Sequence, residues 1–345
     1  VGKTTLAAAT AVDSARAGKN TLVMTFDPSL RLKDALGVGE TAREREVPVA
    51  LEAAGQLSAS LLDAQRTFDR LIEQHAPDAT ARERILGNRF YRHLSGSLGG
   101  ILEYMAVERL FEVAAGGEYE RIILDTPPTR QALDFLEAPQ RIVGFLDSGA
   151  VRLALRPWFD EEGRLKTTAR WGGLGRRVEE FLDDVVGLDL LRDMAEFFQA
   201  FRPLYDGFRE RAAAVEQLLR SPRTRFVLVA GPGEEAIPDA MFFARRLIEA
   251  KLDLGAVVVN RVHPQWPSRP SFGHAADPLA ADGRELLAWR GERDARGLAA
   301  LADRLGPSVP WTSMAQRAQE PTDLAALAQV GSELFERLAN RPTLN

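Results

Sequence analysis

Short apolar runs that end in an acid or amide recur along the chain, separated by stretches with helical spacing. Thr21-Leu22-Val23-Met24-Thr25-Phe26-Asp27 follows a Gly18-Lys19-Asn20 turn and reads as a buried strand closed by Asp27-Pro28. Arg121-Ile122-Ile123-Leu124-Asp125 repeats the pattern and runs into Thr126-Pro127-Pro128-Thr129. Thr224–Ala230 and Ala256–Asn260 predict two more strands, and Val309-Pro310-Trp311 is read as the end of the last one. Strands alternating with helical stretches predict an α/β fold: a mostly parallel sheet flanked by helices, within a single domain over 1–345. Residues 141–220 predict an α-helical insertion in that domain. Its second half carries Val178, Phe181, Leu182, Val185, Leu190, Leu191, Met194, Phe197, Phe198 and Phe201 at helical spacing. Such a stripe is either a face packed on a core or a hydrophobic groove, and the sequence leaves both open.

Composition narrows the field by exclusion. The 345 residues hold 44 Lys+Arg and 49 Asp+Glu, a net charge of −5, so no nucleic-acid partner is expected. The chain has no cysteine, which removes disulfides, thiolate metal sites and thiol nucleophiles. No apolar run approaches the roughly 18 residues of a membrane span, and no secretory signal is visible, so the expected compartment is the cytoplasm.

The first residues carry the chemistry. Val1-Gly2-Lys3-Thr4-Thr5 matches the second half of a phosphate-binding loop, G-x-x-x-x-G-K-[ST], and the sequence therefore reads as a fragment cut inside that loop. Gly2 lets the backbone approach a phosphate, Lys3 offers a point charge to the β/γ-phosphates, and the Thr4 hydroxyl suits Mg²⁺. The predicted helix from Thr5 to about Arg16 aims its amides and positive dipole end at the anion. Asp27 and Asp125 stand at strand ends, where ligands sit in parallel sheets. Alone, each is equally well read as a helix cap.

In this order, Val1–Thr5, Thr25–Ser29 continuing to Asp34-Ala35-Leu36-Gly37, Asp125–Thr129 with Leu133–Leu136 and Pro139, and Val257–Asn260 resemble the arsenical-pump and tail-anchored-protein-targeting ATPase family. That family has a deviant Walker A loop and shares its class with the Min and Par positioning ATPases. The resemblance implies a P-loop NTPase that uses ATP and Mg²⁺. It implies that Asp27 positions the attacking water, that Asp125 holds a water of the Mg²⁺ shell and that Asn260 hydrogen-bonds adenine. It also implies a nucleotide-sandwich dimer, homodimeric or between paralogues, with a hydrophobic client or membrane-protein partner at the helical insertion. A guanine site of the N-K-x-D kind needs an acid three residues after the Asn. His263 occupies that position, so ATP is favoured over GTP.

Departures from the family pattern are informative. Switch I reads Asp27-Pro28-Ser29-Leu30 where the family has Asp-Pro-Ala-His, and without cysteines neither arsenite-binding thiolates nor a zinc clasp between protomers can form. Glu234 and Glu235 have two open readings: contact with ribose or the partner's nucleotide, or an acid pair at a helix N-terminus. His263 and His274, in a Pro-rich loop, are read as exposed side chains. Two rival functions are a Par- or Min-like positioning ATPase and a non-hydrolysing regulatory subunit of an active paralogue.

Overall fold

The computed structural model describes residues 2–25, 31–43, 45–92, 101–126, 138, 140, 144, 188–265, 283–306 and 309–340. They divide into two compact units. The first comprises 1–61, 117–127 and 218–345; the second comprises 62–116 and 128–217, and among the described residues every strand lies in the first and the second is helical.

In the sheet-bearing unit the strands are β1 (Thr21–Thr25), β2 (Val47–Pro48), β3 (Leu57–Leu61), β4 (Arg121–Asp125), β5 (Phe226–Ala230), β6 (Leu254–Val262) and β7 (Trp311–Ala315). They form a four-stranded sheet in the order β2-β3-β1-β4 and a three-stranded sheet in the order β5-β6-β7. Every pairing is parallel except that of the short β2 with β3. Parallel neighbours cannot be joined by a tight turn, so the chain returns through helices such as Ile237–Glu249 and Gly283–Leu305.

The apolar run Leu22-Val23-Met24 is wholly buried, as a strand covered on both faces must be. The first helix, Lys3–Arg16, presents Leu6, Ala8, Ala9, Ala11, Val12 and Ala15 to the same core as Val23, Val258, Met314 and Leu327. Its small side chains let the helix Leu324–Ala339 come close. A Cβ on Gly331 would stand 2.5 Å from the Ala9 carbonyl oxygen, and Ser332 hydrogen-bonds Asp13 at 3.3 Å.

The structure corrects several expectations. The first helix starts two residues earlier, at Lys3, and β6 extends from Leu254 to Val262. The last strand begins at Trp311 and does not end there. β3 was not foreseen; its register with β1 runs from Thr21↔Leu57 to Thr25↔Leu61.

In the helical unit, Ala64–His75, Ala79–Gly87, Ile101–Gly116 and Leu188–Phe201 are joined by the start of Tyr205–Arg220. Rings fill it. Phe201 stacks on Phe197 at 5.1 Å and lies 5.0 Å from Phe208, while Phe68 meets Tyr91 edge-on at 5.1 Å. Phe197 and Phe201, which sequence left between core and groove, are therefore core residues. Val178, Phe181, Leu182 and Val185 lie outside the described residues.

Candidate nucleotide site

Gly2 precedes the first helix in the left-handed conformation, with φ 88°. An L side chain would be strained there, and a Cβ would also stand 2.4 Å from Asn260 Nδ2. Both constraints demand glycine. Among the described residues no side chain caps this helix, and no acid sits in its first turn. The amides and dipole of Lys3, Thr4 and Thr5 therefore present a positive, half-buried helix start. The Leu6 amide bonds back to the Gly2 carbonyl at 3.0 Å, which fixes the turn.

Lys3 Nζ donates to the Thr126 carbonyl at 3.1 Å, so the lysine reaches the end of β4. One residue earlier stands Asp125, 2% exposed, opposite Thr25 in the β1–β4 register. The Thr25 hydroxyl donates to Asp125 Oδ2 at 3.0 Å. A buried carboxylate needs such partners, and this one fixes the orientation of the acid at the strand end. Among the described residues no group of three or more acids and histidines could hold a metal by itself. The Asp125 carboxylate with a hydroxyl at the helix start fits Mg²⁺, which is held through one or two protein groups together with phosphates and water.

Asn260 arrives from β6, and its side-chain amide lies over the Gly2 α-carbon. The neighbouring Arg261 pairs with Glu320 in the loop after β7. Glu235 stands apart on the turn after β5, 71% exposed in its side chain and 3.8 Å from Arg293 Nη1. Thus Gly2 meets Asn260, and Lys3 meets the β4 end that carries Asp125. Thr4 and Thr5 share the helix start with Lys3, and Glu235 is engaged by Arg293 on the long helix Gly283–Leu305. Asp27, with the segment 26–30, and residues 127–137 lie outside the described residues.

Sequence reasoning missed four groups. Thr25 could have been suspected from its place two residues before Asp27. Glu320, Arg293 and Asp294 carry no signal in a charge-rich chain. His263 corrects the exposed reading: its side chain is 15% exposed, and its Nδ1 lies 2.7 Å from Asp294 Oδ2.

A parallel α/β sheet with Gly-Lys-Thr at the start of its first helix and a buried acid at a strand end beside it is the architecture of a P-loop nucleoside triphosphatase. The profile of the anion-transporting ATPase family matches residues 1–273, and the chain belongs to that family. An uncharacterized protein of Streptomyces coelicolor is 28% identical over 87% of this chain and 69% of its own length. A protein of Aquifex aeolicus named as an arsenical pump-driving ATPase is 23% identical over 77% of this chain and 61% of its own. The ATPase get3 of Aspergillus terreus is 30% identical over 40% of each chain. Among the described residues no helix is long and apolar enough to cross a membrane.

Proposed function

We propose that this protein is an ATP-driven molecular switch that binds and hydrolyses ATP with Mg²⁺. The convergence at one strand-end edge of an uncapped helix start, Lys3, buried Asp125 and the Asn260 amide carries this reading. The amides of the first turn and Lys3 receive the phosphates, and Lys3 exchanges the Thr126 carbonyl for phosphate oxygens. Thr4 and, through water, Asp125 would hold Mg²⁺, which neutralises charge on the β/γ-phosphates. Asn260 offers both a donor and an acceptor, the pair an adenine edge requires. Asp27 orients the attacking water. A two-nucleotide sandwich is built from two copies or with a paralogue. Loss of the γ-phosphate then releases the segments after Asp27 and Asp125 and changes the state of the helical unit.

Competition binding in the full-length protein tests the site. ATP is expected to outcompete GTP, and Lys3→Ala is expected to weaken ATP by about a hundredfold, roughly 2.7 kcal/mol, without lowering the melting temperature. Equal affinities for ATP and GTP would remove the adenine assignment. An unchanged affinity in Lys3→Ala would remove the phosphate loop from the site.

A further inference from the structure

β6 and β7 run in register from Val257↔Trp311 to Val259↔Ser313, and pairing resumes at Val262↔Ala315. β6 thus spends three steps where β7 spends two, and the extra residue is a bulge at Asn260-Arg261. Arg261 takes φ 65°, a left-handed conformation in which a residue with a Cβ is strained. Strain of this kind persists only where neighbouring structure fixes it, and it collects at functional positions. Here it sits beside Asn260, whose Nδ2 occupies the space a Gly2 side chain would need, and Arg261 Nε itself would stand 4.0 Å from that side chain.

The bulge is pinned just beyond Arg261. The Gln316 amide donates to the Val262 carbonyl at 2.8 Å. At the next residue, Asp294 Oδ2 accepts from the His263 backbone N–H at 3.0 Å and lies 2.7 Å from the ring Nδ1. Asp294 projects from the long helix Gly283–Leu305; its side chain is 0% exposed, and its other oxygen accepts from Arg293 Nη2 at 3.1 Å. One turn earlier, Gly291 brings the same helix against the loop so closely that a Cβ would stand 2.2 Å from the Pro264 carbonyl. A carboxylate with no exposed surface, one oxygen of which serves both the backbone and the ring of His263, fixes where the strand end lies.

We propose that Asp294, acting through His263, is a positioning residue for nucleotide recognition: it holds the β6 bulge in the shape that sets the Asn260 amide over the phosphate loop. Asp294 touches no nucleotide. Its effect reaches the base through three residues of backbone. The inference rests on the ATP reading of the site and adds to it the group that sets base selectivity.

A double-mutant cycle in the full-length protein tests it, with ATP and GTP affinities measured for the parent, Asn260→Ala, Asp294→Ala and the double variant. Each single variant is expected to weaken ATP by about tenfold and to narrow the ATP-over-GTP preference, and the double variant is expected to be no weaker than Asn260→Ala alone. A purely structural role would instead lower the melting temperature while leaving the preference of the folded fraction intact, or would add fully to Asn260→Ala. Either result overturns the proposal. Should Asp294→Ala not fold, Asp294→Asn keeps an acceptor for the His263 N–H without the charge. It is expected to show the same non-additivity at about threefold, and unchanged selectivity in it overturns the proposal equally. A parent protein that binds ATP no better than GTP would sink the ATP reading itself. A selective parent with a selective Asp294→Ala would sink only the positioning role.

Discussion

The two units are filled by different kinds of side chain. In the sheet-bearing unit the interior around the first helix is mostly alanine, valine and leucine, and the close approach of Leu324–Ala339 depends on Gly331. The helical unit is filled by Phe68, Tyr91, Tyr104, Phe197, Phe201 and Phe208, all buried. Small side chains bring backbones together and leave little room for adjustment, which suits a unit that must place Gly2, Lys3, Asp125 and Asn260 relative to one another. Rings each contribute a large contact area, so a few of them hold a helical assembly whose described segments come from distant parts of the sequence. Polar groups differ in the same way. At the strand ends they are spent on orientation, as Thr25 on Asp125 and Asp294 on His263. In the helical unit Tyr104, Glu108 and Arg211 form one buried cluster, with Tyr104 Oη to Glu108 at 2.7 Å and Arg211 to Glu108 at 2.8 Å.

The contrast is broken most directly by truncating a ring. Phe201→Ala removes a side chain 3% exposed that touches Phe68, Phe197, Tyr205 and Phe208. A cavity of that origin costs about 3–5 kcal/mol. Hydrogen exchange is expected to show the loss across Ala64–His75 and Ile101–Gly116, with the protection of β1 and β6 retained. Equal loss in both units would mean that they unfold as one and that the difference in packing has no energetic counterpart.

A smaller effect tests the sheet-bearing unit. Thr25→Val keeps the shape of the side chain and deletes the hydroxyl that donates to Asp125. A hydrogen bond to a buried charge contributes about 1.5–3 kcal/mol, and that much stability should disappear in denaturant titration. Magnesium-dependent ATP binding should weaken alongside it, because the carboxylate is no longer held in one orientation. A neutral Thr25→Val would show that register alone positions Asp125.

Much of this was legible in the chain, and the omissions have physical causes. β1 and β4 announce themselves as apolar runs that end in an acid, Gly2-Lys3-Thr4 carries the spacing of half a phosphate loop, and Asn260 stands out only through the family resemblance. β3 is hidden, because Leu57-Ser58-Ala59-Ser60-Leu61 alternates with serines and resembles a half-exposed strand, yet Ser60 is buried. The bulge is a property of two strands in register, so no reading of β6 alone could show Arg261 turning left-handed. Asp294 lies within Glu292-Arg293-Asp294-Ala295-Arg296, a charge run that looks like a solvated face; its burial follows from Gly291 and Gly297, which bring the helix onto the loops after β6 and β5. Phe197, Phe198 and Phe201 were legible as part of an apolar stripe, but the partners Phe68 and Tyr91 lie in 62–116, a stretch with no pattern pointing to them.

The subtlest expected effect is a difference of sign between the two units' buried acids. Burial pushes the Asp294 carboxyl up, but the His263 backbone N–H, the His263 ring and the Arg293 guanidinium together outweigh it and hold it below the ordinary carboxylate value. Burial also pushes Glu108 up, and there the Tyr104 hydroxyl and Arg211 fail to offset it, so it stays raised. For Asp294 the unfolded chain binds the proton more readily; its contribution is complete above the unfolded value and is lost as pH falls through the lower folded one. For Glu108 the folded chain keeps the proton longer, so stability declines as pH rises from the unfolded value through the folded one. Denaturant unfolding between about pH 3 and 7, read by probes specific to each unit, should therefore show opposite contributions, each identified by its own neutral variant. Glu108→Gln is expected to remove the decline with rising pH in the helical unit, and Asp294→Asn to remove the acid-side loss in the sheet-bearing one. A decline that survives Glu108→Gln would mean that Arg211 compensates the Glu108 charge fully, and that the two units treat a buried acid alike.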